Sequence, residues 1–109
     1  MELIGMLDSP YVRRVAVTLQ LLELPCVHRP ISVFRTFEQF RAINPVVKAP
    51  TLVCDDGQTL MDSTLIIDHL ETVAGRSLMP RGGAERLRAL RIVGLGLAAC
   101  EKAVQKKNK

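Results

Sequence analysis

The chain has no tryptophan, one tyrosine and three phenylalanines, so it lacks aromatic platforms on which unpaired bases could stack. Its cysteines, Cys26, Cys54 and Cys100, are odd in number and show no CxxC spacing. That argues against a disulfide framework or a cysteine zinc site, and fits buried thiols in a reducing compartment. No apolar run approaches the length that crosses a bilayer. The opening MELIGMLDS meets Asp8 and then Pro10 before a secretory apolar core can form. A surplus of positive charge is also largely missing. Of the net +4, residues 101–109 hold +3, from Lys102, Lys106, Lys107 and Lys109 against Glu101. The remaining +1 over residues 1–100 disfavours a nucleic-acid surface. These absences leave a soluble cytoplasmic chain of 109 residues, with no membrane or nucleic-acid partner, long enough for one modest core.

What is present organises itself around Asn44–Ser63, NPVVKAPTLVCDDGQTLMDS. Asn44-Pro45 is a turn dipeptide. Pro50 stands before the apolar run Thr51–Cys54, a boundary position, since proline cannot donate to a ladder there. The Ala49–Pro50 bond is a candidate for the cis isomer, which would leave the backbone groups of Ala49 unpaired. Asp56-Gly57 predicts a hairpin turn between strands at Thr51–Asp55 and Gln58–Met61. Asp62-Ser63 then precedes an apolar-periodic segment, where helix N-caps occur. One short stretch thus offers a lysine (Lys48), an extended backbone segment and a helix start with free N–H groups. That combination suits a small anionic ligand with a peptide backbone.

Upstream, Glu2–Met6 reads as a buried strand. Ser9-Pro10 is a strong helix start, serine at the N-cap and proline at the first helical position. Val12, Val15, Ala16, Leu19 and Leu22 recur at helical spacing, with Arg13, Arg14 and Gln20 off that face. Cys26–Val33 reads as a second strand, and strand–helix–strand implies a parallel pair. Thr36–Ile43 predicts a short helix burying Phe37, Phe40 and Ile43. Ser63–Val73 predicts another, with Ile66, Leu70 and Val73 inside. The organisation expected is residues 1–74 as one domain, 75–81 as a linker and 82–109 as a further helix.

That last helix, Gly82 to about Gln105, contains IVGLGLAAC at 92–100, nine residues without a charge. Nine residues cover every face of a helix, so this segment expects helical neighbours on all sides. The expectation is a fragment of a two-domain protein, or a chain that recruits a partner.

The element order, with a proline before the third strand, is the thioredoxin-like plan: a βαβ-αββα arrangement on a mixed four-stranded sheet. SPYVRRV at 9–15, NPVVKAPTLV at 44–53 and DSTLIIDHL at 62–70 resemble the N-terminal domain of a soluble bacterial glutathione transferase. Residues 82–105 resemble the first helix of that family's all-helical second domain. Glutaredoxin-like members of the fold begin the first helix Cys-Pro-Tyr-Cys, where this chain has Ser9-Pro10-Tyr11-Val12. Both sulfur positions are lost, which excludes disulfide exchange there.

The resemblance implies glutathione as co-substrate, no metal, a small electrophilic substrate and a homodimer. Ser9 would donate a hydrogen bond to the glutathione thiolate, against its plain reading as a helix cap. Lys48 would pair with a terminal carboxylate, against a solvated surface lysine. Ala49, where the family more often has valine, would offer its backbone through Pro50 to the cysteinyl main chain. Ser63 and the helix start would take the γ-glutamyl carboxylate, and Asp62, one carbon shorter than the usual residue, its ammonium group. His28, His69 and the cysteines read as structural. The competing reading is a non-catalytic interaction module of the same fold.

Overall fold

The computed structural model describes residues 1–107; the expected basic tail reaches Lys109, outside them. The elements are β1 (Glu2–Ile4), α1 (Pro10–Leu21), β2 (Val27–Arg29), α2 (Phe37–Ile43), β3 (Thr51–Val53), β4 (Thr59–Met61), α3 (Ser63–Ala74) and α4 (Gly83–Lys107). The backbone divides into a unit spanning Met1–Arg76 and a second beginning at Ser77.

In the first unit the strands order β2-β1-β3-β4, with β1 parallel to β2 and antiparallel to β3, and β3 antiparallel to β4. This is the mixed four-stranded sheet of the thioredoxin-like plan. Side chains of a strand alternate between faces, and the registered pair Leu3 and Leu52 points to one side. There it meets Val12, Val15 and Leu19 of α1 and Ile66 and Leu70 of α3, all buried. Ile4, next along β1, turns to the other face and packs with Ile31 and Phe40 of α2. Each such fully buried aliphatic side chain contributes about 1.5–3 kcal/mol relative to exposure.

The helices stop where backbone chemistry stops them. Glu23, at φ +57°, and Gly75, at φ +72°, take left-handed conformations just past α1 and α3. Leu24 N then bonds Leu19 O, and Gly75 N bonds Glu71 O, so terminal carbonyls are satisfied. Arg76 Nη2 donates to Leu21 O at 2.8 Å and ties the two C-terminal ends together.

Several elements are shorter or face differently than the sequence predicts. The second strand ends at Arg29, because Pro30 offers no donor and Ile31 N folds back onto Arg29 O. The hairpin strands close one or two residues early around a wider turn, with Cys54 N bonded to Gln58 O and Gly57 N to Cys54 O. Phe37 and Val73 are half exposed, since short helices bury one side chain per turn and Phe40 and Leu70 fill those places. The three cysteines are free thiols and half-buried, not buried.

In the second unit, α4 runs unbroken for 25 residues. Leu87, Leu90, Ile92 and Leu95 are exposed and point in several directions around it, as its charge-free middle anticipates. No helix among the described residues is long and apolar enough to cross a membrane.

Candidate functional site

Chain direction brings two helix starts to one end of the sheet. Ile4, where β1 ends, pairs with Thr51, where β3 begins, and Thr51 pairs with Met61, where β4 ends. The chain leaves β1 toward α1 and leaves β4 toward α3 at that same end, and Pro50 enters β3 there. Helix N-termini carry unpaired N–H groups and the positive end of the macrodipole. Two such ends and one loop therefore share a rim.

At the first helix start, Ser9 is the N-cap, and its Oγ accepts a hydrogen bond from Val12 N at 3.3 Å. A hydroxyl that accepts on one lone pair keeps its proton to donate. Capping and donation to a ligand are thus compatible in one residue.

At the loop, the Ala49–Pro50 bond is cis. Asn44, 3% exposed, holds this segment. Its Nδ2 donates to Thr51 Oγ1 at 2.9 Å and its Oδ1 accepts from Val46 N at 3.1 Å. Thr51 in turn donates its hydroxyl to Lys48 O. Pro50 is buried, Ala49 is half-buried and the Lys48 side chain is exposed. Among the described residues nothing bonds the Ala49 backbone amide or carbonyl. Gly5 lies against the loop at φ +143°. A Cβ there would sit 2.7 Å from Val12 Cγ2 and 3.3 Å from Ala49 Cβ. His28 Nε2 donates to Gly5 O at 2.7 Å and fixes the same peptide from the edge strand.

At the second helix start, Asp62 is the N-cap, at φ +77°, and its Oδ1 accepts from Thr64 N at 2.9 Å and Leu65 N at 3.4 Å. Its carbonyl takes Ile66 N. The Ser63 amide has no acceptor among the described residues. Ser63 is the first residue of α3, buried, and its Oγ accepts from Arg14 Nη1 at 2.9 Å. Thr64 Oγ1 accepts from the same atom at 2.9 Å.

Ser9, Ala49, Pro50, Asp62 and Ser63 thus share one end of the sheet, with Lys48 on the loop beside them. Sequence reasoning missed Arg14, Asn44, Thr51 and Gly5. Asn44 and Thr51 bracket the loop, which is a signal of sorts. Arg14 gives none, because its partners lie 49 and 50 residues away.

The opposite end has different chemistry. A pocket of about 330 Å³ opens between Met1, Cys54, Asp55, Asp56, His69 and Val73. Cys54 Sγ and His69 Nε2 meet there at 3.7 Å, a contact that their places on hairpin and helix do not announce. Desolvation raises the Cys54 thiol above its ordinary value of 9.0, and Asp56 and Asp55 raise it further. Desolvation likewise raises Cys26. Asp56 is lowered by hydrogen bonds from Gln58. No three His, Cys, Asp or Glu residues are grouped to hold a metal ion among the described residues.

Residues 3–77 match the family model described as glutathione S-transferase, N-terminal domain. The GST-like protein YibF of Escherichia coli K12 is 31% identical over 101 residues, covering 87% of this chain and 48% of its own length. A glutathione transferase family member from Pseudomonas fluorescens Pf-5, solved with bound glutathione, is 33% identical with a TM-score of 0.73; 95% of this chain covers 53% of it. A glutathione S-transferase from Methylobacterium radiotolerans, solved with glutathione sulfonate, is 27% identical with a TM-score of 0.84; 95% of this chain covers 50% of it. The chain spans about half the length of these relatives.

Proposed function

The chain belongs to the glutathione S-transferase family through its N-terminal domain, and from that premise we propose that it binds glutathione and stabilises its thiolate. The observation that carries this reading is the shared rim of Ser9, the cis Ala49–Pro50 turn and the Ser63 helix start. Ser9 keeps a hydroxyl proton for the sulfur while it caps α1. The Ala49 amide and carbonyl suit the cysteinyl main chain, and Lys48 suits a terminal carboxylate. The unpaired Ser63 amide suits the γ-glutamyl carboxylate. Asp62 spends Oδ1 on its cap, which leaves Oδ2 for the ammonium group.

In the reaction so proposed, the thiol proton leaves to solvent and the thiolate forms a carbon–sulfur bond with a small electrophile. The displaced electron pair goes to the leaving group or the adjacent atom. A hydrogen bond aimed at the anion, with the positive end of α1 behind it, lowers the thiol pKa and raises the nucleophile fraction. Neither metal nor redox cofactor takes part in this scheme. Residues 1–74 form the binding domain of this reading, 75–81 its linker and 82 onward the first helix of a helical domain. A homodimer in the cytoplasm completes it, the three free thiols supporting a reducing compartment. Turnover by the 109-residue chain is slow, because the electrophile site of the family is proposed to lie mainly in the second domain.

The test is a glutathione titration followed by amide chemical shifts and by thiolate absorbance. Saturable shifts at Ser9, Ala49 and Ser63, with a thiolate band lost in Ser9→Ala, are the expected result. Unmoved amides at all three places would sink the proposal and leave the interaction module.

A further inference from the structure

Arg14 is the residue at the rim whose placement the binding scheme has not used. Its Nη1 donates to Ser63 Oγ and to Thr64 Oγ1, each at 2.9 Å. Both partners are neutral hydroxyls, and no carboxylate among the described residues forms an ion pair with this guanidinium. A cation held at the first turn of a 12-residue helix faces the positive end of that helix. Left alone, the two repel, and an anion bound between them would turn that repulsion into attraction. The contact also orients Ser63. With one lone pair of Oγ taken by Arg14, the hydroxyl proton is directed elsewhere, as a donor. Arg13, one residue earlier, is exposed and has no such contact.

We propose that Arg14 is a positioning residue: it holds the Ser63 hydroxyl as a donor, and charges the α3 start, for the α-carboxylate of a γ-glutamyl group. This rests on the glutathione reading given above. It also couples the helix start that carries Ser9 to the one that carries Ser63, since Arg14 belongs to α1 and its partners to α3. The carboxylate is therefore sensed across two elements, and ligands without it should be indifferent to Arg14.

The experiment titrates the 109-residue chain with glutathione and with γ-aminobutyryl-cysteinyl-glycine, which lacks that carboxylate. Wild type, Arg14→Met, Arg14→Lys and Arg13→Met are compared, with thermal melts of each. Arg14→Met is expected to weaken glutathione by about tenfold or more, the loss typical of a charge-assisted bond, and to leave the analogue unchanged. Arg14→Lys should fall between, and Arg13→Met should stay near wild type. If Arg14→Met does not fold, the Arg14→Lys comparison of the two ligands carries the test. Equal losses for both ligands, equal losses in Arg13→Met, or no loss at all would overturn the proposal while glutathione binding stands. A wild-type chain that ignores glutathione would overturn the underlying reading, and this one with it.

Discussion

The two ends of the sheet use the same strands and helices to opposite effect. At the end shared by Ile4, Thr51 and Met61, α1 and α3 begin, and hydroxyls, an arginine and unpaired N–H groups gather. At the end shared by Met1, Cys54 and Asp55, a thiol, an imidazole and carboxylates gather around a pocket. The first gathers donors and positive charge; in the second, desolvation and the hairpin carboxylates oppose a charge on Cys54 more than the Met1 ammonium, paired with Asp55, favours it. Strand order produces this difference: β1 and β4 exit at one end, so both following helices point their N-termini there. The lesson is that polarity of a site can be set by topology before any side chain is chosen.

Substituting one positive-φ glycine at each end, Gly5 and Gly57, is the harshest way to probe that difference. Gly5 at the first end has φ +143° and a Cβ would meet Val12 Cγ2 at 2.7 Å. Backbone strain and overpacking together should make Gly5→Ala cost about 3–5 kcal/mol. Gly57 at the far end has φ +88° with nothing within 4 Å, so Gly57→Ala should cost about 1–2 kcal/mol, from conformation alone. Urea unfolding of both variants measures it. Equal losses would mean that the first end is no more tightly packed than the hairpin.

Next in size are the loop contacts. Asn44→Ala removes a buried amide that bonds Thr51 and Val46, and strands their groups, for about 2–3 kcal/mol. Gln58→Ala removes only an exposed bond to Asp56 and should stay within about 0.5 kcal/mol. The Ala49 amide resonance should move in the first variant and not in the second. A silent Ala49 would separate the loop's shape from its buried amide.

Helix caps sharpen the comparison further. Ser9→Ala and Asp62→Ala should each cost about 1 kcal/mol. Asp62→Gly should cost less than Asp62→Ala, because φ +77° at this cap suits glycine. Thermal melts at neutral pH distinguish them; an Asp62→Gly chain weaker than Asp62→Ala would mean that the positive φ at this cap carries no strain for a residue with a Cβ.

Much of this end was legible in the sequence because its signals are local. Ser9-Pro10, Ala49-Pro50, Asp56-Gly57 and Asp62-Ser63 each act through backbone conformation within a few residues; both helix starts follow from them, and Ala49–Pro50 is marked as a candidate for the cis isomer observed. What was not legible is long-range or terminal. Arg14 reads as one of two surface arginines until α3 folds beside it, and Cys54 meets His69 only through the packed hairpin and helix. Cys26–Val33 reads as one strand because Ile31 and Val33 look strand-like, but β2 stops at Arg29, where Pro30 interrupts the ladder.

The smallest effect compares two sulfurs. A glutathione thiol at the Ser9 end should titrate below its free value, whereas the Cys54 thiol is raised by desolvation first and by Asp56 and Asp55 next. Only the thiolate alkylates, so Cys54 should react with iodoacetamide more slowly than an unperturbed thiol at neutral pH. Its rate should keep rising at pH values above 9.0, where an ordinary thiol has begun to level. Asp56→Asn removes one negative neighbour without opening the pocket, and should speed Cys54 labelling slightly and shift its profile to lower pH. Peptide-resolved mass spectrometry separates Cys54 from Cys26 and Cys100. An unshifted profile would mean that the hairpin carboxylates, exposed to water, are screened from the sulfur. The contrast between the two ends would then rest on desolvation and helix direction, with no part for those acids.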